Sequence, residues 1–154
     1  MKSNKSCGPN NIPVTVYKNL AHSICRPLCE IFNLSLSSSS VPTVWKQAIV
    51  TPIFKKGSSN DPSNYRPISL TSTACKILES IVKDCVLTHL LANDVLSPHQ
   101  YGFLAKKSTT CQLLDCCVDW MHNMSLKKHT DIIYLNFAKA FDSVVHSKLL
   151  YKLK

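Results

Sequence analysis

No stretch of this 154-residue chain approaches the ~20 consecutive apolar residues of a membrane span, and its first residues, MKSNKSCGPNNIPV, hold no apolar signal segment. A membrane-spanning or secreted protein is therefore not expected; the expected location is intracellular, nucleus or cytoplasm. Cysteine is plentiful at eight residues, yet no two stand as Cys-x2-Cys and no histidines stand as His-x3-His. The spacings that do occur, Cys25-x3-Cys29 and Cys111-x4-Cys116-Cys117, do not suggest zinc, and in an unsecreted chain the thiols are expected to stay reduced. Most of them fall on apolar helical faces, which suggests small buried hydrophobes. Arginine is nearly missing, since 16 of the 18 basic residues are lysine. A lysine-rich surface holds phosphates as point charges and lacks the guanidinium fork that reads base edges. Acidic residues are few as well, 9 against 18 basic, and the resulting charge of +9 favours a polyanionic partner such as nucleic acid. Repeats and low-complexity blocks are also lacking. What remains is one ordinary domain's length with 45% hydrophobic residues, enough for a packed core.

Residues 1–14 are polar, carry a Gly-Pro and an Asn-Asn, and suggest an extended N-terminal arm. Apolar positions Val16, Leu20, Ile24, Leu28, Ile31 and Phe32 recur at helical spacing across 15–36, with Pro27 expected to kink that helix or start a second. The serine run at 37–40 ends it. Residues 47–54 are β-rich and close on Lys55-Lys56-Gly57; a turn cluster, SSNDPSN, separates them from a second extended segment at 65–70, where Pro67 keeps Arg66 out of helical geometry. Together 47–70 is expected to form a β-hairpin with a basic root. A helix over 73–92 follows, with Ile77, Leu78, Ile81, Val82, Cys85, Val86, Leu90 and Leu91 on its inner side. The loop SPHQYGFLAKKS leads to a helix at 109–124 that would turn Leu113, Leu114, Cys117, Val118 and Met121 inward. A strand at 130–137 and a helix at 143–153 close an α+β order.

Five separated blocks, SCGPNNIP, VPTVWKQAIVTPIFKKG, NYRPISLTSTACKILESIV, SPHQYGF and YLNFAKAFDSVVHSKLLYKL, stand in the order and spacing of the reverse transcriptases of non-LTR retrotransposons. The chain resembles these long-interspersed-element enzymes, of the jockey and chicken-repeat type, over essentially its whole length. The resemblance implies the fingers and the start of the palm of a right-hand polymerase, incomplete here: a fingers-like region over 15–129 and the first palm strand with its following helix over 130–154. It also implies RNA and DNA template-primer and deoxynucleoside triphosphate as partners. Nucleotide addition is an in-line phosphoryl transfer between two divalent cations, and intact family members use Mg²⁺ held by converging carboxylates.

The resemblance places the first of those carboxylates where this chain has Asn136, in a pattern like D-F-x-K-A-F-D. The other two belong to a later aromatic-Ala-Asp-Asp turn, which does not occur in these residues. No metal ligand set is therefore expected in this chain, and the expectation is a truncated, catalytically inactive reverse transcriptase fragment. The alternative is a non-catalytic nucleic-acid-binding module derived from polymerase fingers. Asp142 is implied to be structural, at the start of the next helix. Lys55 or Lys56, together with Arg66, correspond to residues that hold the incoming triphosphate. Phe141 corresponds to the aromatic side chain that crowds the sugar 2′ position. Gln100, Tyr101, Gly102 and Phe103 correspond to a loop on the template-primer side. The family usually continues with arginine, where this chain has Leu104, and Lys106 and Lys107 are the candidate replacements.

Overall fold

The computed structural model describes residues 7–137 and 140–153. Packing divides the chain into two units, residues 1–96 and 97–154, and the division falls inside the region 15–129 that the resemblance treats as fingers-like.

In the first unit, α1 (Val14–Asn19) and α2 (Ala21–Ser37) are separated at Leu20. The break falls there and not at Pro27, which lies within α2. Proline removes one N–H donor and crowds the preceding turn, and here the helix continues past it. The expected extended arm is also different over its described part. Asn11 N–H donates to Gly8 O at 2.9 Å, closing a turn, and Val14 at the end of the arm is buried in the first turn of α1. Residues 1–6 of that arm lie outside the described residues.

The expected hairpin is present. Strands β1 (Ala48–Phe54) and β2 (Tyr65–Thr71) pair antiparallel, with Ile53 opposite Arg66 and Phe54 opposite Tyr65. Pro52 stands opposite Pro67, which would cost two ladder bonds at a hydrogen-bonded position. The register avoids that cost. Lys55 N–H donates to Asn64 O at 2.8 Å, so 55/64 is a hydrogen-bonded pair. Pairs alternate, and 52/67, three steps away, falls at a non-hydrogen-bonded position. Both prolines therefore turn their missing donors to the outer edges of the hairpin, where they also discourage pairing with another strand.

α3 (Thr73–Ala92) follows directly, and its start is the best-packed place in the unit: Ser72, Thr73, Ala74, Cys75 and Leu78 are buried. Asn10 Nδ2 donates to Ser72 Oγ at 3.3 Å, and a Cβ on Gly8 would lie 2.4 Å from Thr71 O, so the 8–10 turn rests against the β2–α3 junction. Phe32 of α2 is buried and meets Trp45 edge to face, ring centroids 5.7 Å apart. Beyond Leu78 the apolar side of α3 is not covered as expected: Ile81, Val82, Val86 and Leu91 are exposed. Periodicity defines a face, but only a neighbouring element buries it.

The same holds more strongly in the second unit, which contains α4 (Thr109–Ser125) and α5 (His146–Leu153). No described residue from Ser97 onward is buried, and Leu113, Leu114, Cys117, Val118 and Met121 are exposed, not turned inward. The strand expected over 130–137 is absent as a paired element. Those residues take no ladder partner among the described residues, and Ile133, Tyr134, Leu135 and Phe137 are about four-fifths exposed. β-propensity marks a segment that would fit a sheet; a strand exists only when another lies beside it. The cysteines also depart from expectation. Only Cys75 is buried, Cys7 and Cys116 are half-buried, and the other five are exposed.

Candidate nucleic-acid and nucleotide interface

The root of the hairpin brings the basic residues together. Opposite residues of an antiparallel pair share a face, and along one strand faces alternate. Ile53, Arg66 and Lys55 therefore lie on one face, with Lys55 diagonal to Arg66 across the ladder. Lys56 follows at the turn. All three cations are exposed.

The connecting loop has a defined conformation that holds this end. Gly57 has φ +93°, a left-handed value, and the space beside it is filled by the Asn64 side chain, 2.7 Å from where a Cβ would stand. Asn64 Nδ2 donates to Ser58 O at 2.9 Å, Tyr65 Oη donates to Ser59 O at 2.9 Å, and Asp61 caps the short 3₁₀ turn Pro62–Asn64 by accepting from Ser63 N at 2.9 Å. Hydrogen bonds from Ser63, its backbone N–H first and then its side chain, lower the Asp61 pKa from the ordinary carboxylate value. On the opposite face of the hairpin, Phe54 and Tyr65 meet edge to face at 5.5 Å. A shallow groove of about 530 Å³ there is lined by Pro52, Ser59, Asn60, Pro62, Tyr65 and Pro67.

In the second unit the loop of Gln100, Tyr101, Gly102 and Phe103 is tied to α4. Tyr101 Oη donates to Asp115, and Lys107 Nζ donates to Pro98 O while lying 4.8 Å from the centre of the Tyr101 ring. Gln100 Nε2 donates to Gly102 O at 3.0 Å. Lys107 is thus engaged within its own loop, whereas Lys106 is exposed, with φ +64°. Phe103 also has φ +64° and meets Phe141 edge to face at 6.1 Å, so two residues far apart in the chain are neighbours. Asp115 has no signal in the sequence that would pair it with Tyr101: it lies 14 positions away, on a helix whose polar face is otherwise unremarked.

Asn136 is exposed, as is Asp142, which lies in the turn before α5 and not in the helix itself. A magnesium pair needs several converging hard anionic oxygens. Asn136 offers one neutral amide oxygen, and among the described residues no group of three or more His, Cys, Asp or Glu converges. The described residues do not by themselves fit a two-metal centre.

The basic hairpin is joined to a mixed helix-and-strand scaffold. Residues 53–154 match the family described as reverse transcriptase (RNA-dependent DNA polymerase). The chain belongs to that family. Its relatives are the RNA-directed DNA polymerases of non-LTR retrotransposons. It is 29% identical over 97% of its length to the probable RNA-directed DNA polymerase from transposon BS of Drosophila melanogaster, covering 17% of that protein. It is 33% identical over 82% of its length to the RNA-directed DNA polymerase from mobile element jockey of the same organism, covering 14%. A third relative, the Pol polyprotein from type-1 retrotransposable element R2 of Popillia japonica, is 32% identical over 79% of the chain, which covers 16% of it. The chain thus spans about a sixth of the length of the curated relatives it matches. Among the described residues, no helix is long and apolar enough to cross a membrane.

Proposed function

We propose that these residues supply the fingers and the beginning of the palm of a retrotransposon RNA-directed DNA polymerase, and that by themselves they bind phosphate-bearing partners without copying a template. The observation that carries the reading is the placing of Lys55 and Arg66 on one exposed face of the hairpin. A mobile ammonium beside a planar guanidinium suits the oxygens of a triphosphate or of a nucleic-acid backbone. The charge of +9, mostly lysine, adds sequence-independent attraction to RNA and DNA. Lys106 is the better candidate for a template phosphate, because Lys107 is held by Pro98 and Tyr101. Inactivity rests on Asn136, a neutral amide where the family places a charged ligand for Mg²⁺.

The test combines binding and turnover on the 154-residue chain. Single-stranded RNA should bind with a log K that falls by ~0.7 per phosphate contact for each unit of log salt, with no preference among sequences. Arg66→Ala should weaken deoxynucleoside triphosphate binding about tenfold, the lower end for a hydrogen bond to a charged group at an exposed site. Primer extension should be undetectable, and should stay so in Asn136→Asp, since one carboxylate leaves the metal clamp incomplete. Salt-independent binding that ignores Arg66 would overturn the binding half. Chelator-sensitive incorporation by the unmodified chain would overturn the other.

A further inference from the structure

The loop at the end of the hairpin contains the sequence Lys55-Lys56-Gly57-Ser58-Ser59-Asn60-Asp61. Ser58 is exposed, and every residue from 51 to 63 is exposed with it, so opening this loop to a second protein disturbs no core. Its hydroxyl takes part in one weak local bond, accepting from Asn60 N–H at 3.3 Å. Its carbonyl is held by Asn64, and Asn64 is the residue paired with Lys55. Ser58 is thus fixed over the end of the ladder that carries the cationic face. Two lysines stand two and three residues to its N-terminal side, across Gly57, an arrangement that an acidic substrate groove reads by charge.

We propose that Ser58 is a phosphorylation site for a Ser/Thr kinase directed by basic residues, and that the phosphate switches off the phosphate-binding face of the hairpin. The inference rests on the reading given above for Lys55 and Arg66. In the modification, Ser58 Oγ attacks the γ-phosphorus of ATP, the bond from that phosphorus to the ADP oxygen breaks, the hydroxyl proton passes to the kinase's base, and ADP leaves. The root of the hairpin carries Lys55, Lys56 and Arg66 against Asp61, a net charge of +2. A phosphoserine adds about −1.5 to −2 at neutral pH and brings the root close to neutrality. The new dianion also offers oxygens to the same lysines that would otherwise hold the partner's phosphates.

The experiment treats the full chain with the catalytic subunit of a basic-directed Ser/Thr kinase and Mg-ATP, locates the phosphate by mass spectrometry, and titrates labelled single-stranded RNA over a salt series. Lys106-Lys107 and Lys127-Lys128 stand at the same spacing before exposed Thr109 and Thr130, so the chain is treated as Thr109→Ala/Thr130→Ala; its expected product carries the phosphate on Ser58, and adding Ser58→Ala leaves it unmodified there. Two neutralised charges should reduce the slope of log K against log salt by ~1.4, which corresponds to about 25-fold weaker binding at 0.1 M salt relative to the 1 M limit. Ser58→Ala should bind as the unmodified chain does before and after treatment, and Ser58→Asp should lose about half as much slope. A chain left unmodified at Ser58, while a free peptide of residues 53–63 is phosphorylated, would show the folded loop closed to the kinase and overturn the site. Phosphorylation that leaves the slope unchanged would overturn the switch. If the unmodified chain itself binds RNA without salt dependence, the reading of the basic face fails and the switch with it, while the mass spectrum still decides the site.

Discussion

Asp94→Gly should stabilise the first unit by about 1 kcal/mol, and the reason lies in how the long helices end. α3 closes with Asp94 N–H on Leu91 O at 3.3 Å and Val95 N–H on Leu90 O at 3.0 Å, with Asp94 at φ +50°. This is the Schellman arrangement, whose left-handed residue is usually glycine. α2 ends the same way at Ser39 and α4 at Lys127, both with positive φ. The chain has only three glycines, Gly8, Gly57 and Gly102, and none stands at a helix end. Left-handed geometry costs a side-chain-bearing residue roughly 1–2 kcal/mol, somewhat less for aspartate. Glycine gives back ~0.5–1 kcal/mol in lost chain entropy. Removing a carboxylate from the negative end of the helix dipole adds about 0.3 kcal/mol at an exposed position. The dipole contribution decides the order of the three sites: it favours Asp94→Gly, is neutral for Ser39→Gly and opposes Lys127→Gly. Thermal unfolding followed by circular dichroism is the assay. A gain of 1 kcal/mol is worth ~4–8 °C in a cooperative unit of under 100 residues. Asp94→Ala is the control, because it removes the charge and keeps the strain; it should gain no more than about 0.3 kcal/mol. If alanine raised the midpoint as far as glycine, or if high salt abolished the glycine gain, the strain argument would be wrong.

Gly8→Ala should cost ~2 kcal/mol or more, because its Cβ would meet backbone, Thr71 O, at 2.4 Å, while Gly102→Ala, with only the Gln100 side-chain tip 3.7 Å away, should stay within about 0.5 kcal/mol; denaturant titration distinguishes them. Burial, assisted by the Glu79 carboxylate 3.4 Å away, raises the Cys75 thiol to about 11, so iodoacetamide at pH 8 should alkylate exposed Cys25, Cys29 and Cys117 well before Cys75, as peptide mass mapping would read. The same shift means that the folded state holds that proton more tightly than the unfolded chain, so its contribution to stability is complete below about pH 9 and is lost as pH rises towards 11. Amide hydrogen exchange should find residues 132–135 among the least protected of the chain, within about tenfold of an unstructured peptide, since protection follows local hydrogen bonding; slow exchange there would mean that a partner strand had been found.

Much of the local structure was legible in the amino-acid sequence. The hairpin was readable because two β-rich segments flank a turn cluster whose Ser, Asn, Asp and Pro have few other uses, and its observed strands lie within a residue of the expected ones. The helices expected at 73–92 and 109–124 were readable from apolar spacing, and the second runs one residue further, Thr109–Ser125. The family was readable from five blocks held in order. All of these depend on neighbours along the chain, and the sequence lists those neighbours directly. Other features depend on what approaches from a distance. Only the folded arrangement places Lys55 with Arg66 by ladder parity, spends Lys107 on Pro98 and Tyr101, sets Phe103 against Phe141, and binds Tyr101 to Asp115. It also decides that residues 130–137, strand-like by composition, pair with nothing among the described residues, and that the apolar sides of α3 and α4 lie open beyond Leu78. An apolar pattern records which side of an element would gain by burial; whether it is buried depends on a second surface, and no property of the element itself supplies one.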